Sequence, residues 1–354
     1  MSVLRPGRTS GKVRMARLTD LAALGELSRL CQSDGVDTRS LGLPVSGPPI
    51  GVFSLFRLPL GAFRPHDLLF VYEQEGRLAG LLRVEREAFR DEWTIVELDA
   101  VGATDAGDIR FRLVQQLLRD GSKRGAARFH VACADADGNV DLFMQAGFAR
   151  YGDEIVLFRP PDELLPDPVP DADAIADGIR PVEQIDALAL ARLYAAATPQ
   201  PVQRLEAVRL ADWERQGQWR VPRSSLAPIL RFADVEAYIQ EAPDGGRDGT
   251  QLNGFLQIGV AKEDQPHYLK VLVRPDVDAS PLVRYGLGVI SARTQRDSDH
   301  PRDHGVIAPV RTYESPTDRR LEEAGFGAIA TVTLLMKETL VRVAEPALVP
   351  AGVR

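Results

Sequence analysis

From Ile109 to Asp120 apolar residues recur at helical spacing: Ile109, Leu113, Val114, Leu117 and Leu118 fall on one side, which predicts a helix with one buried face. Ahead of it, LLFVYEQ and GRLAGLLRVERE flank Glu75-Gly76 as a hairpin, and TIVELDAV reads as a third strand. ARFHVACA follows the helix as a further strand, parallel to the third because a helix intervenes. The same succession returns later in the chain. PILRFADVEAYIQE, QLNGFLQIGVA and HYLKVLV read as strands, Leu282, Val283, Gly286, Leu287 and Ile290 form a second one-sided helix, and GVIAPV a closing strand.

The recurrence extends to single residues. VRMARLTDLAALGELSRLC and GIRPVEQIDALALARLYAAAT each read as short strand, turn and helix. Arg14 stands six residues before Asp20 and Arg180 six before Asp186, each Asp at a helix N-cap position, with Leu24 and Leu27 or Leu190 and Leu193 following. Ala-Gly-Phe closes a helix at 146 to 148 and again at 324 to 326, and each is followed by a strand, EIVLF or ATVTLLMKETLV. This near-colinear repeat predicts a duplicated mixed α/β domain. Between Pro160 and Asp177 five prolines and clustered acids oppose helix and sheet alike, so the expected division is 1–159, a linker at 160–177, and 178–354. The second copy also predicts a helix from Gln203 to Trp219, where the first has the Pro- and Gly-rich stretch 41–65 with Phe53, Phe56 and Phe63. Those rings suit either a plug in a core or domain seam, or a lid over a site.

Bulk composition narrows the function classes. The 354 residues are 44% hydrophobic, enough for two cores, and carry 43 Lys plus Arg against 50 Asp plus Glu, a net charge of −7. No basic stripe suits a phosphate backbone, which argues against nucleic acid, and no apolar run suits a membrane span. Cys31 and Cys133 are the only thiols and lie in no ligand spacing, which fits a reducing cytoplasm without a structural metal. Cys133, in HVACA, reads as an inert core thiol. His300 and His304 share a helical spacing suited to a metal, but Pro301 breaks it and a polar turn is the expectation.

The element order, the Arg/Asp opening and the Gly-Phe after the last helix resemble the GNAT superfamily of acyl-CoA N-acyltransferases, as a tandem pair of mixed α/β domains covering nearly the whole chain. The resemblance implies acetyl-CoA or another acyl-CoA as cosubstrate, held by backbone N–H groups of the loop and helix start after the central strand, and a primary amine of a small molecule or peptide as acceptor. In the first copy that loop is Val101, Gly102, Ala103, Gly107, Asp108 and Ile109. In the second, Val273 and Pro275 match the family's V-x-P, but Pro281 and Val283 replace its glycines and Pro281 has no N–H to donate; Asp276 and Asp278 there, like Asp105 and Asp108 in the first copy, bring negative charge to the expected diphosphate position, so Gly102 and Gly107 make the first copy the expected CoA site. The family's CoA-contacting Asn and proton-donating Tyr are replaced by Ala136 and Phe143 in one copy and by Glu314 and Leu321 in the other; Asn139 and Tyr313 lie nearby, out of register. An amine acceptor needs a base. Glu97 and Asp99 are the candidates, on one face of the third strand by their i, i+2 spacing, or else solvated residues of a half-exposed strand. His267 and Tyr268 on the corresponding second-copy strand read as strand-end surface residues. Two functions remain open: an N-acyltransferase, or a lapsed one retained as a ligand-binding or assembly module, as a homo-oligomer or with a protein partner.

Overall fold

The computed structural model describes residues 11–33, 41–44, 67–86, 91–102, 105–136, 138–161, 166, 177–214, 224–243, 251–261, 265–296 and 304–339. Its strands are β1 (Lys12–Met15), β2 (Asp67–Gln74), β3 (Arg77–Arg86), β4 (Glu92–Ala100), β5 (Arg128–Ala134), β6 (Ala149–Arg159), β7 (Ile179–Pro181), β8 (Phe232–Glu241), β9 (Leu252–Ala261), β10 (His267–Val273), β11 (Val306–Arg311) and β12 (Gly327–Glu338). The helices are α1 (Leu21–Ser33), α2 (Ala106–Lys123), α3 (Asn139–Gln145), α4 (Ala187–Ala197), α5 (Gln200–Glu206), α6 (Leu210–Trp213), α7 (Ser280–Arg296) and α8 (Ser315–Glu323).

The twelve strands among the described residues form one sheet in the order β1-β2-β3-β4-β5-β12-β6-β11-β10-β9-β8-β7. The order is symmetric about its centre: β1 to β5 mirror β7 to β11. Each half is antiparallel except for one parallel pair, β4 with β5 or β10 with β11, with α2 or α7 as the crossover. At the centre the halves exchange strands. β12, the last described strand, pairs with β5 and β6, while β6, the last described strand before the linker, also pairs with β11.

The repeat's landmarks occupy equivalent places. Arg14 holds Asp20 with two hydrogen bonds of 2.6 and 2.9 Å and Glu73 with a third of 2.7 Å; Arg180 holds Asp186 at 2.8 and 2.8 Å and Glu241 at 2.7 Å. Each Asp ends a short 3-10 turn and accepts the N–H three residues back, from Arg17 or Glu183, so its carboxylate caps that turn and not the α-helix expected from the sequence. Gly147 and Gly325 take matching positive φ of 87 and 88°, where glycine ends a helix at no steric cost. Phe148 N–H and Phe326 N–H then donate back to the carbonyls of Phe143 and Leu321.

The apolar stripe of α2 is buried as its periodicity predicts. Its close approach to the sheet depends on Gly80, where a Cβ would come within 2.6 Å of Ile109 Cγ2; Gly254 has the same role under Leu282 of α7. The helix expected at 203–219 is instead α5 and α6. Ala207 turns left-handed at φ 42°, and Asp212 accepts the Arg209 N–H at 2.8 Å, restarting the helix at Leu210. Residues 215–223, most of 162–176 and the phenylalanines of 45–66 lie outside the described residues.

Candidate active site

β4 and β5 pair from Glu92/Arg128 to Ile95/Val131 and then part, although both strands continue. A register break on the other side of β4 inserts Val96 between the residues opposite Val84 and Arg83. Such a bulge adds twist and bends the strand away from its neighbour. β10 and β11 likewise pair only at His267/Val306 and Tyr268/Ile307. Each half therefore opens into a fork at the carboxyl ends of its parallel strands, the place where α/β sheets offer ligands a crevice.

The two forks differ in what fills them. In the second, Lys270 is wholly buried and reaches from β10 to the Pro309 carbonyl at 3.2 Å and Glu314 at 2.8 Å, while Glu314 also accepts the Arg311 N–H at 3.0 Å. This ion pair staples the fork shut. The start of α7 is occupied too: Asp278 accepts from Ser280 N–H at 3.2 Å and Oγ at 2.9 Å and pairs with Arg320 at 2.8 Å. Burial works against its charge, but those hydrogen bonds and then Arg320 hold the carboxyl below the usual range. A cavity of about 640 Å³ lies between α7 and α8, yet the arginines on it are engaged, Arg159 by the Ala324 carbonyl, Arg284 by Asp177 and Arg320 by Asp278 and Glu323.

Among the described residues, the first fork is less obstructed. Ala134 N–H, on β5, donates to the Leu41 carbonyl at 2.7 Å, so the segment 41–44 takes that side. The edge of β4 beyond Ile95 has no strand partner among the described residues. Gly102 adopts φ 117°, a left-handed value suited to glycine, and its carbonyl accepts the Ala106 N–H at 3.2 Å. At the start of α2, among the described residues, Asp105 makes no side-chain cap and nothing lies within 4 Å of where a Cβ on Gly107 would stand. Val101 N–H donates to the Ala79 carbonyl, and Ala103 lies outside the described residues. Asp108 pairs with Arg112 at 2.8 Å on the exposed side, and Ile109 is core. Asn139 is buried at the start of α3, where Arg110 of α2 donates to its side-chain oxygen. That bond ties together the two helices bordering the fork.

Glu97 and Asp99 stand opposite Arg83 and Leu81 in unbroken register, which places both on one face. Glu97 is committed to Arg83 at 3.1 Å. His267 and Tyr268 are not surface residues: both are buried, His267 beside His304 at 5.9 Å between rings and Tyr268 in the core. The antiparallel partner β9 and parallel partner β11 enclose their strand on both edges, which an apparent strand end in the sequence conceals. Cys133 is an enclosed thiol pushed up to about 12 by burial.

The sequence reading passed over a buried polar band on the sheet. His130 of β5, 3% exposed, sits 3.4 Å from Glu92 of β4, itself 2% exposed. Tyr151 of β6 packs edge-on to His130 at 6.4 Å, and the Arg311 guanidinium lies 6.0 Å from the Tyr151 ring. Arg311 lies between Glu154 at 3.3 Å and Glu206 at 3.0 Å, whose charges hold it protonated against burial. Alternation in RFHVACA puts His130 opposite to Phe129 and Val131, which was the one available signal; its partner depended on strand register.

No family model matches the chain, and no curated protein does. Solved structures do. A tandem GNAT protein from the clavulanic acid biosynthesis pathway, determined without AcCoA, matches at a TM-score of 0.55 and 13% identity, covering 93% of this chain and 98% of the other. A GCN5-related N-acetyltransferase from Sphaerobacter thermophilus matches at 0.53 and 17% identity, covering 94% and 96%. The fold is that of the GNAT superfamily, present as a tandem pair across nearly the whole chain.

Proposed function

We propose that the protein is a GNAT-type N-acyltransferase that takes an acyl group from acetyl-CoA or another acyl-CoA to a primary amine of a small molecule or peptide, using the first of two domains, 1–159 and 178–354. The observation that carries this reading is the contrast between the forks. The first has a β4 edge that leaves β5 after Ile95 and, among the described residues, an α2 start without a side-chain cap, so the residues present fit the group: the strand edge suits the amide-bearing arm, and the first-turn N–H groups, Gly107 among them, suit the diphosphate against the opposing charge of Asp105 and Asp108. The second is closed by Lys270–Glu314 and capped by Asp278. Acyl-CoA supplies an activated thioester; the chain's part is to hold it, orient the amine and accept the amine's proton.

Binding is the direct test. Calorimetric titration with acetyl-CoA is expected to show one site per chain, abolished by Gly107→Pro and retained by Pro281→Gly. Proline is tolerated in the first helical turn, so Gly107→Pro removes one N–H without breaking α2. Binding lost in Pro281→Gly but retained in Gly107→Pro would move the site to the second half. A second reading, a lapsed acyltransferase serving as a binding module, is favoured by Phe143 and Leu321, both buried and neither able to donate a proton where the family has Tyr. Acetyl-CoA binding without thiol release in the presence of any amine would select it.

A further inference from the structure

The last two rungs of the β4–β5 ladder are Thr94/His130 and Ile95/Val131. At that vertex lies a cavity of about 20 Å³, lined from the first half by Thr94, His130 and Tyr151 and from the second by Ser224, Ser225 and Arg311. The volume suits one water molecule or one amino group. Ser224 and Ser225 belong to the turn leading into β8, and Ser225 is fixed there by donating its N–H and hydroxyl to Glu154 of β6. The wall contributed by the second half is thus built, and the cavity is incomplete without it.

One imidazole lines this space, with a carboxylate beside it. Glu92 is 3.4 Å from His130 Nε2 and also meets Arg128 at 3.4 Å; Tyr151 covers the ring from β6, with Arg311 beyond it. A neutral imidazole set beside a carboxylate is a competent proton acceptor. Glu97, the carboxylate the sequence favours, is by contrast neutralised by Arg83.

We propose that the acceptor's amino group enters this junction cavity and that His130, oriented by Glu92, takes its proton, the second half serving as the far wall of the first half's acceptor pocket. The inference rests on the acyltransferase reading above. The amine nitrogen forms a C–N bond to the thioester carbonyl carbon, the C–S bond breaks, the proton shed by nitrogen passes to His130, and the imidazolium returns it to the departing thiolate. The arrangement also gives a reason to retain a second half whose own fork is shut: it completes the first.

The test uses the full chain, acetyl-CoA and a panel of small primary amines, following thiol release. His130→Ala is expected to lower kcat/KM for the amine by about 100-fold or more, with acetyl-CoA affinity unchanged, and added imidazole should restore turnover. His130→Gln should fold like the parent and lose the acid limb of the pH profile. Ser224→Leu should raise KM for the amine and leave acetyl-CoA affinity unchanged. A His130→Ala enzyme that turns over like the parent, or one whose loss imidazole does not relieve while His130→Gln keeps the parent pH profile, overturns the proton role. Unaltered amine KM in Ser224→Leu overturns the shared wall. A parent protein that does not bind acetyl-CoA, or binds it without thiol release, overturns the acyltransferase reading itself.

Discussion

His267 shows how burial sets a single residue's chemistry. Its Nδ1 accepts the Ala261 N–H at 3.0 Å, and burial, then the neighbouring His304, lowers its pKa to about 4. In the unfolded chain it returns to about 6.5. Between those values the unfolded state binds a proton that the folded state refuses, so stability falls as pH falls through this window, by about 3 kcal/mol once it is crossed. His267→Asn retains an acceptor for the Ala261 N–H and cannot titrate. Urea unfolding at pH 7 and pH 4.5 should show the variant gaining on the parent at the lower pH; a constant difference would mean that His267 titrates as it does in the unfolded chain. Arg311 poses the opposite case, a buried cation whose removal leaves Glu154 and Glu206 facing each other. Arg311→Met is expected to destabilise by about 3 to 5 kcal/mol.

Elements are seated by small residues that local pattern does not single out. The stripes of α2 and α7 were legible from their period, but the glycines beneath them were not, because a glycine inside a strand looks the same whether it marks a bulge or a close approach. At Gly254 a Cβ would fall 2.4 Å from Leu282 Cδ1 and 3.1 Å from Val273 Cγ1. Gly254→Val should therefore cost about 1 to 3 kcal/mol by overpacking, read as a lower urea midpoint at unchanged slope. An unchanged midpoint would show slack between α7 and the sheet. The broken helix after α5 has a similar lesson: the apolar spacing from Gln203 to Trp219 suits one helix, but Asp212 accepts the N–H of Arg209 and the chain restarts there.

For the whole molecule, the exchange of β6 and β12 is the decisive feature. Three ladders, β5 with β12, β12 with β6 and β6 with β11, cross between the halves. A specific protease site inserted within 167–176 and then cut is expected to leave both fragments in one particle on size exclusion, separating only in denaturant. Fragments that part in native buffer would show that these ladders do not hold the halves together.

The sequence by itself determined most of the element types, the duplication and the Arg/Asp and Gly-Phe landmarks. These rest on contacts within a few residues, hydrophobic periods and backbone restrictions, which local sequence encodes directly. The tertiary structure alone decided which strands meet at the centre, that Glu97 is spent on Arg83, that Lys270 and Glu314 close the second fork, and that Glu92 and His130 meet at a cavity walled by Ser224. Each of those pairings joins residues far apart in the chain. Their meeting depends on register and strand order, which no local period carries.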